Sequence, residues 1–168
     1  LSKEKQFVEA AREIKKLGID AAFVLVGEPD QKNPECVPPD WISKCVAEGV
    51  IEWWGYRDNM LEVFASTSIV CLPSHREGLP KVLLEAASCS LPIVAFDVPG
   101  CREVVIDGQN GFLVKFGDID GLAKALTTLL SDEILRAQMG KYGREMVKSN
   151  FAEERIAAET AAVWEEVT

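Results

Sequence analysis

Apolar positions recur at helical spacing over residues 3–17, where Phe7, Val8, Ala11, Ile14 and Leu17 mark one face and Gly18 stands ready to end the helix. The pattern then switches to a continuous apolar run, Ala21-Ala22-Phe23-Val24-Leu25-Val26, closed by Gly27. Such a run is expected of a parallel strand covered on both faces. Residues 28–39, with Pro29, Asp30, Asn33, Pro34, Pro38 and Pro39, read as a polar loop. Helices are predicted over 40–48, where Pro39 and Asp40 supply start signals, and over 59–66, with Asp58 as N-cap. Between them lies a strand over 50–54, and after them the apolar, partly β-branched run Ser68-Ile69-Val70-Cys71-Leu72 reads as a buried strand. A helix over 81–90 follows, opened by Pro80 at its first position, where a missing N–H has no intrahelical acceptor to lose. Residues 92–96 form the next expected strand, 97–103 a loop into a short helix, and 107–111 a turn before a last strand over 112–114. The remainder is read as four helices, 118–130, 132–140, 142–150 and 151–167.

Alternating strands and helices predict an α/β fold, a doubly wound, Rossmann-like parallel sheet with ligands at the carboxyl ends of its strands. All 168 residues are assigned to one domain. Such a domain ordinarily opens on a strand, and this chain enters a helix almost at once. The expectation is a fragment whose first strand is missing. In the strand order 3-2-1-4-5-6 that strand is central, so the strands at 21–26 and 68–72 should be left with unpaired backbone groups, and either another segment or chain fills the gap or the isolated piece is poorly stable. The adjacent Trp53 and Trp54 point to opposite faces of a strand, so at most one can line a site, and core packing is expected of the pair.

A net charge of −9 argues against general nucleic-acid binding, and it makes any local cluster of positive charge informative. No apolar run approaches the roughly 18 residues needed to cross a bilayer. The five cysteines at 36, 45, 71, 89 and 101 show no C-x-x-C pairing and are expected as free thiols in a reducing cytoplasm. With a single histidine, neither a zinc site nor a His-based triad is expected, and no metal is assigned.

The chemistry concentrates in residues 73–86, Pro-Ser-His-Arg-Glu-Gly-Leu-Pro-Lys-Val-Leu-Leu-Glu-Ala. A strand, a polar loop and a helix start place free N–H groups and the positive end of a helix dipole beside Glu77, Gly78 and Leu79, which is an anion site. Gly78 admits a ligand close to the backbone, and Arg76 and Lys81 add positive charge. Glu85 lies five residues beyond Pro80, roughly 7.5 Å along the axis, and helical side chains lean back toward the N-terminus. Carboxylate acceptors on either side of a phosphate site fit a ligand with hydroxyls on both sides of it, as in a nucleotide-sugar.

Glu77-x7-Glu85, within this stretch, resembles the signature of the retaining family 4 glycosyltransferases. The resemblance covers nearly the whole chain and implies the C-terminal, donor-binding half of their two-domain GT-B fold. It implies that Glu77 contacts the donor sugar as the catalytic-site carboxylate, that the backbone from Gly78 through Leu79 to Val82 takes sugar and diphosphate, and that Glu85 binds the ribose. Leu1-Ser2-Lys3-Glu4-Lys5 is similar to the second half of the family's "G-R-L-x-x-E-K-G" segment, which would put Lys5 on the diphosphate; a solvated helix-start lysine is the equal alternative. Residues 97–103 resemble the family's "G-G-x-x-E" loop with Pro99 in place of the first glycine, and Gly55 falls where the family passes the nucleobase.

The resulting expectation is a nucleotide-sugar-binding domain whose full-length enzyme transfers a sugar, with retention, to a lipid-linked or saccharide acceptor in polysaccharide or lipopolysaccharide synthesis. Its donor is expected to be UDP-linked and its location the cytoplasm or the cytoplasmic face of the membrane. The missing N-terminal domain would be its partner, so the chain alone is expected to bind donor without transferring sugar. A non-catalytic nucleotide-sugar module, or half of a GT-B-type epimerase, stays open. The glycosidase reading of two carboxylates is disfavoured by the adjoining phosphate-binding helix start.

Overall fold

The computed structural model describes residues 1–150, so the helix expected over 151–167 lies outside the described residues. Helices α1 (Lys3–Lys16), α2 (Pro39–Ala47), α3 (Met60–Ala65), α4 (Lys81–Ser88), α5 (Pro99–Arg102), α6 (Ile119–Leu130) and α7 (Glu133–Asn150) alternate through most of the chain with strands β1 (Val24–Val26), β2 (Glu52–Gly55), β3 (Val70–Leu72), β4 (Ile93–Phe96) and β5 (Gly111–Val114). Every strand pairing is parallel, and the fold is α/β as expected.

The strands form two sheets, β1–β2 and β3–β4–β5. β4 is the centre of the second, with all four residues Ile93, Val94, Ala95 and Phe96 fully buried, the burial pattern of a strand covered on both faces. Gly111 brings β5 against β4, because a Cβ there would collide with the carbonyl of Ile93. One hydrophobic core joins both sheets to the helices, with Val8, Ile14, Leu83, Leu84, Val104, Leu122 and Leu129 among its fully buried members.

β1 and β3 are not hydrogen-bonded to each other; β1 pairs with β2 alone and β3 with β4 alone. A cavity of about 1230 Å³ is lined by residues of both strands, Val24 and Val26 of β1 and Val70 and Leu72 of β3, together with the segments around them. The two strands are thus left unpaired with each other, as expected.

Several local expectations shift. Pro80 is the N-cap rather than the first helical residue, in extended conformation at φ −75° and ψ 102°. Asn59, not Asp58, caps α3. The helices expected over 132–140 and 142–150 are one continuous α7, in which Gly140 does not break the helix. That glycine lets α7 approach the carbonyl of Ser90, whose own φ is +60°, so its role is close packing. The tryptophans part company. Trp53 packs against the core and its indole N–H donates to the Gly27 carbonyl at 2.9 Å, whereas Trp54 is excluded from that core and stacks with Arg57 at 5.5 Å.

Candidate functional site

Because the strands within each sheet run parallel, the loops that follow them gather at one edge of that sheet. β3 delivers residues 73–80 there, and α4 begins at once. The first amide of α4 to find a backbone acceptor is that of Leu83, which donates to the Pro80 carbonyl at 3.0 Å. The N–H groups of Lys81 and Val82 precede that bond, and no side chain caps the helix. Pro80 has no amide hydrogen to donate. The start of α4 is thus open, with the positive end of its dipole unneutralised.

Gly78 is exposed, its φ does not lie in the left-handed region, and a Cβ added to it would meet nothing within 4 Å. Neither conformation nor internal packing demands a glycine there. The open space beside it leaves room for a ligand to approach the backbone closely.

The charged groups are arranged around this opening. Arg76 is exposed, and among the described residues it makes no ion pair. Glu77 is half-buried and its carboxylate has no hydrogen-bond partner or counter-ion among the described residues. Glu77 does sit near Cys101, whose thiol is pushed up to about 11, chiefly by burial and secondarily by the Glu77 charge. Glu85 projects from the first turns of α4 with its side chain 23% exposed, and Lys81 Nζ stands 4.0 Å from Oε1. Burial holds the Glu85 carboxyl above its ordinary range, and Lys81 opposes that shift only in part. Leu79 lies open at the loop tip, and Val82 is half-buried against the core.

The loop is braced from two sides. His75 meets Glu35 at 3.6 Å and packs edge-on against Phe116, which packs in turn on Phe96 at the end of β4. Ser74 is buried, and its hydroxyl has no partner among the described residues. Lys5 is not gathered into this cluster: its ammonium stands over the Trp41 ring of α2 at 6.0 Å.

Sequence reasoning passed over Glu28. Its carboxylate follows the end of β1 and accepts the Tyr56 amide at 3.4 Å, tying the ends of β1 and β2 together beside Gly55 at φ +66°. Its place directly after the strand-closing Gly27 was the available signal. Gly100 falls in the 97–103 loop that resembles the G-G-x-x-E segment, but its close approach to the Glu77 and Gly78 carbonyls is not visible along the chain.

The family model "Glycosyl transferases group 1" matches residues 3–146. Among curated relatives, the N-acetyl-alpha-D-glucosaminyl L-malate synthase of Bacillus anthracis is 33% identical over 150 residues, covering 89% of this chain and 38% of that protein. The N,N'-diacetylbacillosaminyl-diphospho-undecaprenol alpha-1,3-N-acetylgalactosaminyltransferase of Campylobacter jejuni is 34% identical over 137 residues, covering 82% of this chain and 34% of that one. The chain therefore spans little more than a third of these relatives. Among solved structures, the C-terminal domain of a glycosyl transferase group 1 family protein (LpcC) from Francisella tularensis superposes with a TM-score of 0.75 at 26% identity, over 89% of this chain and 80% of that one. TarM from S. aureus, in a complex with UDP, shares the fold with a TM-score of 0.81 at 23% identity, over 97% of this chain and 32% of that one. Sequence and fold agree: this chain belongs to the group 1 glycosyl transferases, as a Rossmann-like domain of GT-B type.

Proposed function

We propose that this chain is the nucleotide-sugar-binding half of a retaining glycosyltransferase. The observation that carries the proposal is the uncapped start of α4 behind an open Gly78, with the unpaired Glu77 just before that glycine and Glu85 in the first turns of the helix. In this reading the diphosphate sits on the N–H groups from Gly78 to Val82, with Arg76 and Lys81 as its cations and no metal required. Glu85 accepts the ribose hydroxyls and Glu77 orients the hexose. Preorganised N–H groups aimed at a departing diphosphate stabilise charge where it develops, without reorganising during the reaction. Positioning of the anomeric carbon supplies the rest.

The full-length enzyme would pass the sugar to a lipid-linked or saccharide acceptor in polysaccharide or lipopolysaccharide synthesis, at the cytoplasmic face of a membrane. The acceptor site and the strand expected between β1 and β3 are assigned to the rest of that enzyme. This chain alone would bind donor and transfer nothing. UDP is the first nucleotide to test, as the common carrier in the family.

Isothermal titration calorimetry against UDP-, GDP- and ADP-linked sugars and their free diphosphates tests the proposal. One nucleotide series should bind at one site, with the free diphosphate competing. Heat from none of the three series would overturn it, and transfer of labelled sugar to a lipid acceptor by this polypeptide alone would overturn the division of labour.

A further inference from the structure

Gly100 lies buried at the start of α5, and a side chain there is impossible for a reason that involves the site. A Cβ on Gly100 would overlap the carbonyl oxygens of both Glu77 and Gly78 and would lie 2.6 Å from the Glu77 carbonyl carbon. Real Cβ contacts do not occur below 3.0 Å. Its φ is not in the left-handed region, so conformation does not require the glycine; only this approach does.

The two partners in that contact are unequally fixed. On the α5 side, Val98, Cys101 and Val104 are buried in the core and β4 leads straight into the helix. Arg102 Nε donates to Asp97 Oδ1 at 2.6 Å, and the Arg102 amide donates to the Val98 carbonyl at 3.1 Å. On the other side, Arg76, Gly78 and Leu79 are exposed and Glu77 half-buried, between the buried Ser74 and Pro80 that anchor the loop's ends. We infer that Gly100 is the positioning residue for Glu77, its absent side chain being the space in which the Glu77–Gly78 backbone is seated. A substituent at Gly100 would push the exposed loop outward rather than move the buried platform. Glu85, carried on α4 beyond the loop, would keep its place.

The inference rests on the proposed reading of the site, in which Glu77 takes the sugar and Glu85 the ribose. It therefore predicts a split. Gly100→Ala should weaken the intact nucleotide-sugar about tenfold or more and the free nucleoside diphosphate less than about threefold, in calorimetry with the nucleotide series that the wild type binds. On a Glu77→Ala background, Gly100→Ala should add little further loss for the nucleotide-sugar. Ligand-free amide NMR gives an independent readout: the amides of Glu77, Gly78 and Leu79 should shift, and those of α6 and α7 should not.

Equal loss of both ligands would overturn the inference, as would unmoved loop amides. A Gly100→Ala variant that fails to fold, by circular dichroism, also overturns it, because the loop would not then be absorbing the clash. Should the wild type bind no nucleotide at all, the proposed function fails, and the amide shifts alone decide whether Gly100 seats Glu77.

Discussion

Glu85 offers a perturbation whose effects on stability and on binding should run in opposite directions. Its carboxyl is held above its ordinary range by burial, with Lys81 at 4.0 Å opposing the shift. A carboxyl raised in the folded state binds its proton more tightly there than in the unfolded chain. The stability it contributes is therefore complete below the unfolded value of about 4.5 and is lost as pH rises through the folded value. Glu85→Gln removes this loss. Relative to the wild type, the variant should gain stability as pH is raised from 4 to 7.5. The Lys81 pair offsets little, because an exposed partner at this distance is worth about 0–1 kcal/mol. Binding should move the other way. A hydrogen bond to a charged acceptor is worth about 1.5–3 kcal/mol, so Glu85→Ala should weaken the free nucleoside diphosphate about ten- to a hundredfold. Glu77→Ala should leave that nucleotide nearly untouched and weaken only the intact nucleotide-sugar. Urea denaturation followed by tryptophan fluorescence across the pH range, with calorimetry at neutral pH, reads both effects. A Glu85→Gln variant that loses stability relative to the wild type as pH rises would refute the reasoning, as would equal effects of the two alanine variants on nucleoside diphosphate.

Three glycine and core substitutions test the packing. Gly78→Ala, with open space around its Cβ and an ordinary φ, should stabilise the fold by about 0.4–1 kcal/mol through unfolded-state entropy while weakening donor binding; calorimetry paired with urea melts would show the split. Gly140→Ala should do the reverse of what helix propensity predicts. Propensity favours Ala by about 1 kcal/mol, but forcing a methyl against the Ser90 carbonyl should destabilise by about 1–3 kcal/mol in thermal melts. Leu83→Ala, at a fully buried position on α4, should cost about 2–5 kcal/mol by urea denaturation.

The elements were legible where a periodicity filled them. The apolar face of α1 and the uninterrupted run of β4 each had one structural solution. That β1 and β3 do not pair was legible too, because the doubly wound order leaves an identifiable central place empty. What failed were positions where a local signal has two causes. Gly140 carries a breaker signal, yet it serves a contact with Ser90 that lies 50 residues away along the chain. Pro80 suits both the N-cap and the first helical position, and one residue separates them. Trp53 and Trp54 diverge because only one face of β2 meets the core. The proposed anion-binding loop was readable because residues 73–86 are contiguous. Its bracing by Gly100, Phe116 and Glu35 was not, since those contacts join segments far apart in sequence. Lys5, read equally as a diphosphate contact or a solvated helix-start lysine, stands over the Trp41 ring.

The central claim is that one nucleotide-sugar spans the opening of α4 between two carboxylates. A crystal structure of this chain soaked with the nucleotide-sugar that calorimetry selects tests it most directly. Diphosphate oxygens are expected within hydrogen-bond distance of the N–H groups between Gly78 and Val82, ribose hydroxyls on Glu85, and the hexose on Glu77. A nucleotide bound away from the start of α4, or bound there with its ribose turned from Glu85, would contradict it.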